Sequence, residues 1–288
     1  MSSLRSLLAC AVFTAAALPH AFGLTLVGSD LLQPVLQDAL QQFSADSGVP
    51  VELDMQGSNP ALEAVESGDA PLALVALPRG ERPPQDLESS PFAFLVTVVA
   101  VHRDNPVTEM SYNDLIEAFG RDGVAESWDA FVDEGGAWSV RKLSQHVVGG
   151  TNTVGQEIFK VEVLGDREMR SGVKSHPSLD AFVNETHDNL NVLAIIPTTR
   201  LPESLRAVPV AEGNSDRAFS PSPENALYGD YPLQLPFYLV YRRDFASTSE
   251  GKELLRFLFS DDLAEVLSEA DLLPLIESER QERLRRLQ

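Results

Sequence analysis

The chain has 288 residues, 43% of them hydrophobic and 23% charged, which is ordinary globular composition and enough for one large domain or two smaller lobes. A formal charge of −21 argues against nucleic acid and anionic lipid as partners. It leaves room for a small anion held by backbone dipoles, since exposed charges beyond about 8–10 Å are largely screened at physiological salt.

At the N-terminus, Arg5 precedes an apolar run from Leu7 to Leu18, and Ala21-Phe22-Gly23 offers small residues at the two positions a signal peptidase reads. The run is too short to anchor in a bilayer. Residues 1–23 are therefore expected to be a secretory signal peptide cleaved after Gly23, giving a periplasmic or secreted mature chain. The only cysteine, Cys10, lies in this leader. Leu7-Leu8-Ala9-Cys10 loosely resembles a lipobox, but too few residues precede it for a proper apolar segment. The mature chain then has neither a disulfide framework nor a thiol nucleophile, and its stability must come from its core.

Leu24 to Val27 reads as a short strand, after which Gly28-Ser29-Asp30 opens a helix with Leu32, Val35, Leu36, Leu40 and Phe43 at helical spacing. Val51 to Met55 alternates as a second strand. Gln56-Gly57-Ser58-Asn59-Pro60 follows, with Asn59 expected as N-cap and Pro60 at the first helical position. Leu72 to Leu77 is a continuous apolar run suited to a buried parallel strand. Strand, helix, strand, helix, strand with short connections predicts a doubly wound half, whose ligands lie at the carboxyl ends of the strands. Phe92 to His102 predicts one strand leading out of this first lobe.

The second lobe begins near Val107, with a short helix over Ser111 to Gly120 opened by a capping-box pair, Ser111 and Asp114. His146 to Val154, His-Val-Val-Gly-Gly-Thr-Asn-Thr-Val, reads as a strand, a tight turn and a helix start. Gly149 and Gly150 would let the backbone approach a ligand, and Thr151 or Asn152 can cap the following helix. Unpaired N–H groups and the helix dipole make such a start attractive to anions. Further helices are expected to about Gly165 and over Pro177 to Asn189, and strands over Val192 to Pro197 and Leu205 to Val210. Tyr231 to Arg242 is read as the strand returning to the first lobe. Helices follow over Thr248 to Phe259 and Asp261 to Leu273, and the charge-rich Glu277 to Gln288 is either a solvated terminal helix or a tail.

In order and spacing these segments resemble a solute-binding protein of the type 2 periplasmic binding fold, and within it the phosphate-binding branch. Leu26-Val27-Gly28-Ser29 resembles the family's first ligand loop, and Gln56-Gly57-Ser58-Asn59 its second. Gly149-Gly150-Thr151 stands where the family carries its anion loop, Tyr228 to Tyr241 resembles its return strand, and Phe259 to Leu275 its C-terminal helix. The resemblance covers nearly the whole mature chain. It implies an α/β fold of two lobes, each a mixed sheet flanked by helices, with the ligand cleft between them. Lobe 1 would take residues 24–103 plus 228–288, and lobe 2 residues 104–227.

The resemblance also implies the function: capture of a small oxyanion, phosphate first, for an ABC permease, by a monomer without cofactor or metal. The expected ligand-binding residues are Ser29, Asp30, Gly57, Ser58, Asn59, Gly149, Gly150, Thr151 and Asn152. Departures from the family pattern are specific. Gly149 replaces a serine, Gln145 stands where an arginine clamps the anion, Ala76-Leu77-Pro78 lacks the polar residue of the third strand, and Asp30 replaces a hydroxyl. Losing a bidentate arginine predicts weaker binding than is usual for the family. An adaptor or sensor of the same fold that has lost phosphate binding is the alternative. His146 is read as a structural hydrogen-bonder or a substitute cation, Arg79 as a solvated arginine or one that swings into the cleft, and Trp128 and Trp138 as core or interlobe packing. Catalysis is not expected, because the chain has no Gly-x-Ser-x-Gly elbow and no histidine pair at metal spacing.

Overall fold

The computed structural model of the chain describes residues 23–132, 136–149, 154–213 and 215–287. The N-terminal third alternates as the apolar pattern requires: β1 (Leu24–Gly28), α1 (Gln33–Ser47), β2 (Val51–Asp54), α2 (Ser58–Ser67) and β3 (Leu72–Ala76). Helix α1 buries Leu36, Leu40 and Phe43 on one face and stops at Gly48, whose φ of 72° suits glycine. β4 (Glu88–Val96) and β5 (Val98–His102) follow, then β6 (Met110–Ser111) and α3 (Tyr112–Phe119), which has the expected capping box of Ser111 and Asp114. β7 (Ser144–Val148) leads towards α4 (Val154–Phe159), which runs on into a π-turn over Lys160–Leu164.

The chain continues through β8 (Lys174–His176), α5 (Leu179–Thr186), β9 (Val192–Ile196), β10 (Leu205–Ala207), β11 (Val210–Ala211), β12 (Ala218–Phe219) and α6 (Pro223–Leu227). It ends with β13 (Gln234–Tyr241), α7 (Ser249–Leu258), α8 (Asp261–Glu269), β14 (Leu272–Pro274) and α9 (Glu277–Arg286). Of the two readings of the C-terminus, the helical one is observed.

Two main sheets give an α/β protein of two lobes. The first has strand order β14-β4-β13-β3-β1-β2 and the second β10-β5-β9-β7-β8, with β12-β11-β6 as a small third sheet. In the first, β1 lies between β2 and β3 and is parallel to both; in the second, β7 lies between β8 and β9 in the same way. Each lobe therefore has a point where the strand order reverses, and the chain leaves β1 at Ser29 and β7 at Gly149. Open α/β sheets bind ligands outside the carboxyl ends of strands at such points. One large apolar cluster runs through both lobes, with smaller ones under α2 and under α5. Among the described residues no helix is long and apolar enough to cross a membrane.

Several boundaries differ from the sequence reading. The apolar run Phe92 to His102 is two strands in different sheets, separated by Thr97. Hydrophobicity is the same on both sides of Thr97, so the run alone does not reveal the change of partner. Leu205 to Val210 likewise divides between the second and third sheets. The helix expected over Asp261 to Leu273 stops at Glu269, and the last apolar residues instead form β14 on the edge of the first sheet. Asp271 between them has φ 63°, a left-handed conformation that ends the helix.

Candidate functional site

The loops after β1 and β2 are joined by backbone. Gly57 N–H donates to the Gly28 carbonyl at 2.9 Å, and Ser29 N–H donates to the Leu74 carbonyl at 2.8 Å. Gly28 is required at this crossing. A Cβ there would stand 2.3 Å from the Leu74 oxygen and 2.9 Å from the Met55 sulfur. The Ser58 hydroxyl accepts from Ala76 N–H at 2.9 Å and so binds the start of α2 to the end of β3. Ser29 is buried, yet its hydroxyl makes no capping bond, which leaves it available to a ligand.

Two sequence expectations need correction here. The N-cap of α2 is Gly57, with φ 116°, and Asn59 and Pro60 lie within the first turn of the helix. Proline is tolerated there because the first-turn N–H groups have no intrahelical acceptor. Asn59 is exposed, as is Asp30, which begins a short 3-10 turn. The structure therefore brings Gly28, Ser29, Gly57 and Ser58 together at the ends of β1 to β3.

From the second lobe, Gly149 follows β7, and its N–H donates to the His176 carbonyl at 2.9 Å. A Cβ on Gly149 would meet the Gln156 side chain at 2.5 Å. Gly150, Thr151 and Asn152 lie outside the described residues. Helix α4, which begins just beyond them, docks tightly: a Cβ on Gly155 would lie 2.4 Å from Pro197, and the Gly155 carbonyl accepts from the Thr97 hydroxyl at 2.7 Å. Gln145, at the family's arginine position, turns away and donates to the Ala118 carbonyl at 3.2 Å.

A polar chain runs from β7 through β8 to α5 and is buried at its two histidines. His146 Nε2 is 2.8 Å from Ser144 Oγ, and its Nδ1 is 2.9 Å from His176 Nε2. Asn189 donates to Ser144 Oγ at 3.0 Å, His176 Nδ1 lies 3.6 Å from Glu185, and Glu185 accepts from Lys174 at 2.8 Å. Burial, reinforced by the neighbouring His176, lowers the His146 pKa to about 4; burial lowers that of His176 as well. Both rings are thus neutral near pH 7. His146 is structural, not a substitute cation.

Arg79, read from the sequence as solvated or as swinging into the cleft, is only partly exposed and reaches across to carboxylates of the second lobe. Its Nη2 donates to Glu212 at 2.8 Å and its Nη1 lies 3.6 Å from Glu162 on the π-turn, so a residue just past β3 bridges to the second lobe. Burial opposes the charge on Arg79, but the two carboxylates hold its pKa above the usual value. Burial raises the Glu162 pKa against the opposing pull of Arg79. Nothing in the sequence singled out Glu162 or Glu212, because carboxylates are common along this acidic chain. Among the described residues, no group of three or more His, Cys, Asp or Glu side chains is arranged to hold a metal ion.

Two lobes with reversal points at β1 and β7 give the chain the architecture of the periplasmic-binding-protein fold. The chain belongs to the PBP superfamily: the model of a PBP superfamily domain matches residues 14–262. Among solved structures it is similar to a possible phosphate binding protein from Planctomyces limnophilus, at 16% identity and a TM-score of 0.69, over 92% of this chain and 97% of that one. It is also similar to PstS from Borrelia burgdorferi, at 14% identity and a TM-score of 0.66, over 88% and 98%. An ABC-type phosphate transport receptor from Vibrio cholerae matches at 18% identity and a TM-score of 0.57, over 87% and 99%. At these identities the likeness is one of fold. No curated protein matches the chain.

Proposed function

We propose that this chain is an exported solute-binding protein that captures a small oxyanion, inorganic phosphate first, between its lobes and delivers it to an ABC permease. The observation that carries this reading is the junction of the first three strand ends, where Gly57 holds Gly28 and Ser58 holds Ala76. That junction presents the Ser29 and Ser58 hydroxyls and the first N–H groups of α2 at a reversal point of the sheet, a geometry suited to an anion. The descriptions of the similar structures from Planctomyces limnophilus, a possible phosphate binding protein, and Vibrio cholerae, a phosphate transport receptor, support the same choice of ligand.

In this reading Gly149, Gly150, Thr151 and Asn152 close on the anion from the second lobe, and Asp30 and Asn59 stand at the rim. We take lobe 1 to be residues 24–96 plus 228–288, and lobe 2 the chain between; the first segment stops short of the expected residue 103 because β5 pairs in the second sheet. The leader is removed after Gly23, and the mature protein acts as a monomer in the periplasm or outside the cell. No catalytic role is proposed.

Isothermal titration of the mature protein with phosphate, sulfate and molybdate tests the reading. Phosphate should bind best, and more weakly than an arginine-clamped site would hold it. Absence of binding by all three at millimolar concentration would overturn the oxyanion assignment. Thr151→Val should weaken phosphate binding by removing one hydroxyl donor while keeping the side chain's shape.

A further inference from the structure

A separate cavity of about 820 Å³ opens where the loop after β3 meets the π-turn and the segment after α6. None of the described residues assigned to the oxyanion lines it. Its volume lies within the roughly 300–1,000 Å³ of pockets that take small organic molecules. The wall is more polar than apolar, but Leu87, Leu227 and Tyr238 give it an apolar side, and Arg79 stands among the polar groups. Gln234, only 4% exposed, also lines it, and its amide oxygen has no hydrogen-bond partner. An orphaned buried amide on a cavity wall marks a place where a bound group would complete the network.

The polar end of the cavity is already occupied from within. Glu212, whose side chain is 52% exposed, places its carboxylate on the Arg79 guanidinium, whose side chain is 20% exposed. A carboxylate on an exposed stem is the same chemical group that an organic acid would present, so Glu212 is a tethered competitor. Glu162, on the π-turn, keeps a second and longer contact with Arg79.

We propose that this cavity is a second ligand site, for an organic anion with an aromatic body whose acid group replaces Glu212 on Arg79. The aromatic body packs on Leu87, Leu227 and Tyr238, and the Gln234 amide receives a polar substituent. The site differs from the oxyanion loops in position and chemistry, and it stands or falls independently of them.

The test is isothermal titration of the mature protein with phenyl phosphate, phenylacetate and inorganic phosphate, in the wild type and in two variants. At least one aromatic anion should bind, and the better of the two identifies a phosphate ester or a carboxylate as the preferred acid group. Glu212→Gln should tighten that binding roughly tenfold, and Arg79→Met should weaken it by about the same factor, as expected for gaining or losing one charge-assisted contact. Affinity for inorganic phosphate should stay within about twofold in Glu212→Gln, the size of change expected without a direct contact. Three results would overturn the proposal: no aromatic anion binding to the wild type or to Glu212→Gln, affinities unmoved by Glu212→Gln, or one-for-one displacement of phenyl phosphate by inorganic phosphate. Glu212→Gln preserves side-chain shape, so the test holds even if Arg79→Met loosens the lobes.

Discussion

The Tyr231 hydroxyl donates to the Thr97 carbonyl at 2.7 Å, joining residues 134 positions apart at the two places where the chain passes between lobes. Thr97 is the single residue between β4 in one sheet and β5 in the other. Its N–H donates to the Leu233 carbonyl at 2.9 Å and its hydroxyl to the Gly155 carbonyl at 2.7 Å. One fully buried residue thus ties both crossings to the helix that follows the second-lobe loop.

Tyr231→Phe should therefore destabilise the protein by about 1–2 kcal/mol, because the Thr97 carbonyl loses a buried partner. For a chain of this size that corresponds to a fall in Tm of roughly 2–8 °C. Thr97→Val, which removes the buried bond from the Thr97 hydroxyl to the Gly155 carbonyl, should cost a similar amount. Calorimetry on both variants checks this, and an unchanged Tm in each would refute the role given to the crossing.

Gly28→Ala should be far more damaging than an ordinary surface change. The added methyl would meet a strand carbonyl at 2.3 Å, and a sheet backbone cannot withdraw as a side-chain tip can. The expected loss is about 2–4 kcal/mol, or failure to fold. Gly172→Ala is the control, since nothing lies within 4 Å of its added Cβ, and it should change stability by less than about 0.5 kcal/mol. Denaturant titration of the two variants side by side decides the point.

The hydroxyls of Ser29 and Ser58 should separate in their effects. Ser29→Ala removes a group that caps nothing, so phosphate affinity should fall roughly tenfold with little change in Tm. Ser58→Ala also strips Ala76 N–H of its acceptor, so Tm and affinity should fall together, with a stability loss of about 1 kcal/mol. Equal behaviour of the two variants would contradict the geometry of the junction.

Acid should weaken the fold through the histidine pair. His146 titrates near 6.5 when unfolded and about 4 when folded, so the unfolded state binds the extra proton between these values. Stability is then full above pH 6.5 and is lost as pH falls towards 4. The ring faces Ser144, His176 and Phe182, with Lys174 and Glu185 next in line, and among the described residues no carboxylate touches His146 directly. His146 should contribute on the order of 1–2 kcal/mol of loss between about pH 7 and pH 5. Urea unfolding across that range should show a shallower slope for His146→Gln than for the wild type; identical slopes would remove His146 from the account.

The alternation of apolar runs with Gly, Ser and Asn turns was enough to locate the first three strands, their two helices and the loops at Ser29 and Ser58. Those elements form from neighbours in the chain, through the spacing of apolar residues and local capping, and their signal is correspondingly local. The cap of α2 was misplaced by two residues because Asn59-Pro60 is an equally good local start, whereas the bonds from Ala76 N–H to Ser58 Oγ and from Gly57 N–H to the Gly28 carbonyl, which fix the observed start, come from distant strands.

Partner choice was settled elsewhere. Val96 and Val98 are equally apolar and β-forming, yet Thr97 divides them between sheets because its bonds to Leu233, Gly155 and Tyr231 come from distant parts of the chain. Arg79, Glu162 and Glu212 meet only once both lobes have folded, and His146 finds His176 only when β7 and β8 pair. Hydrophobic periodicity is carried by each segment's own residues and can be read before folding. An ion pair or buried hydrogen bond between distant residues depends on the register and approach of whole sheets, so tertiary structure alone decided which charges face the cleft.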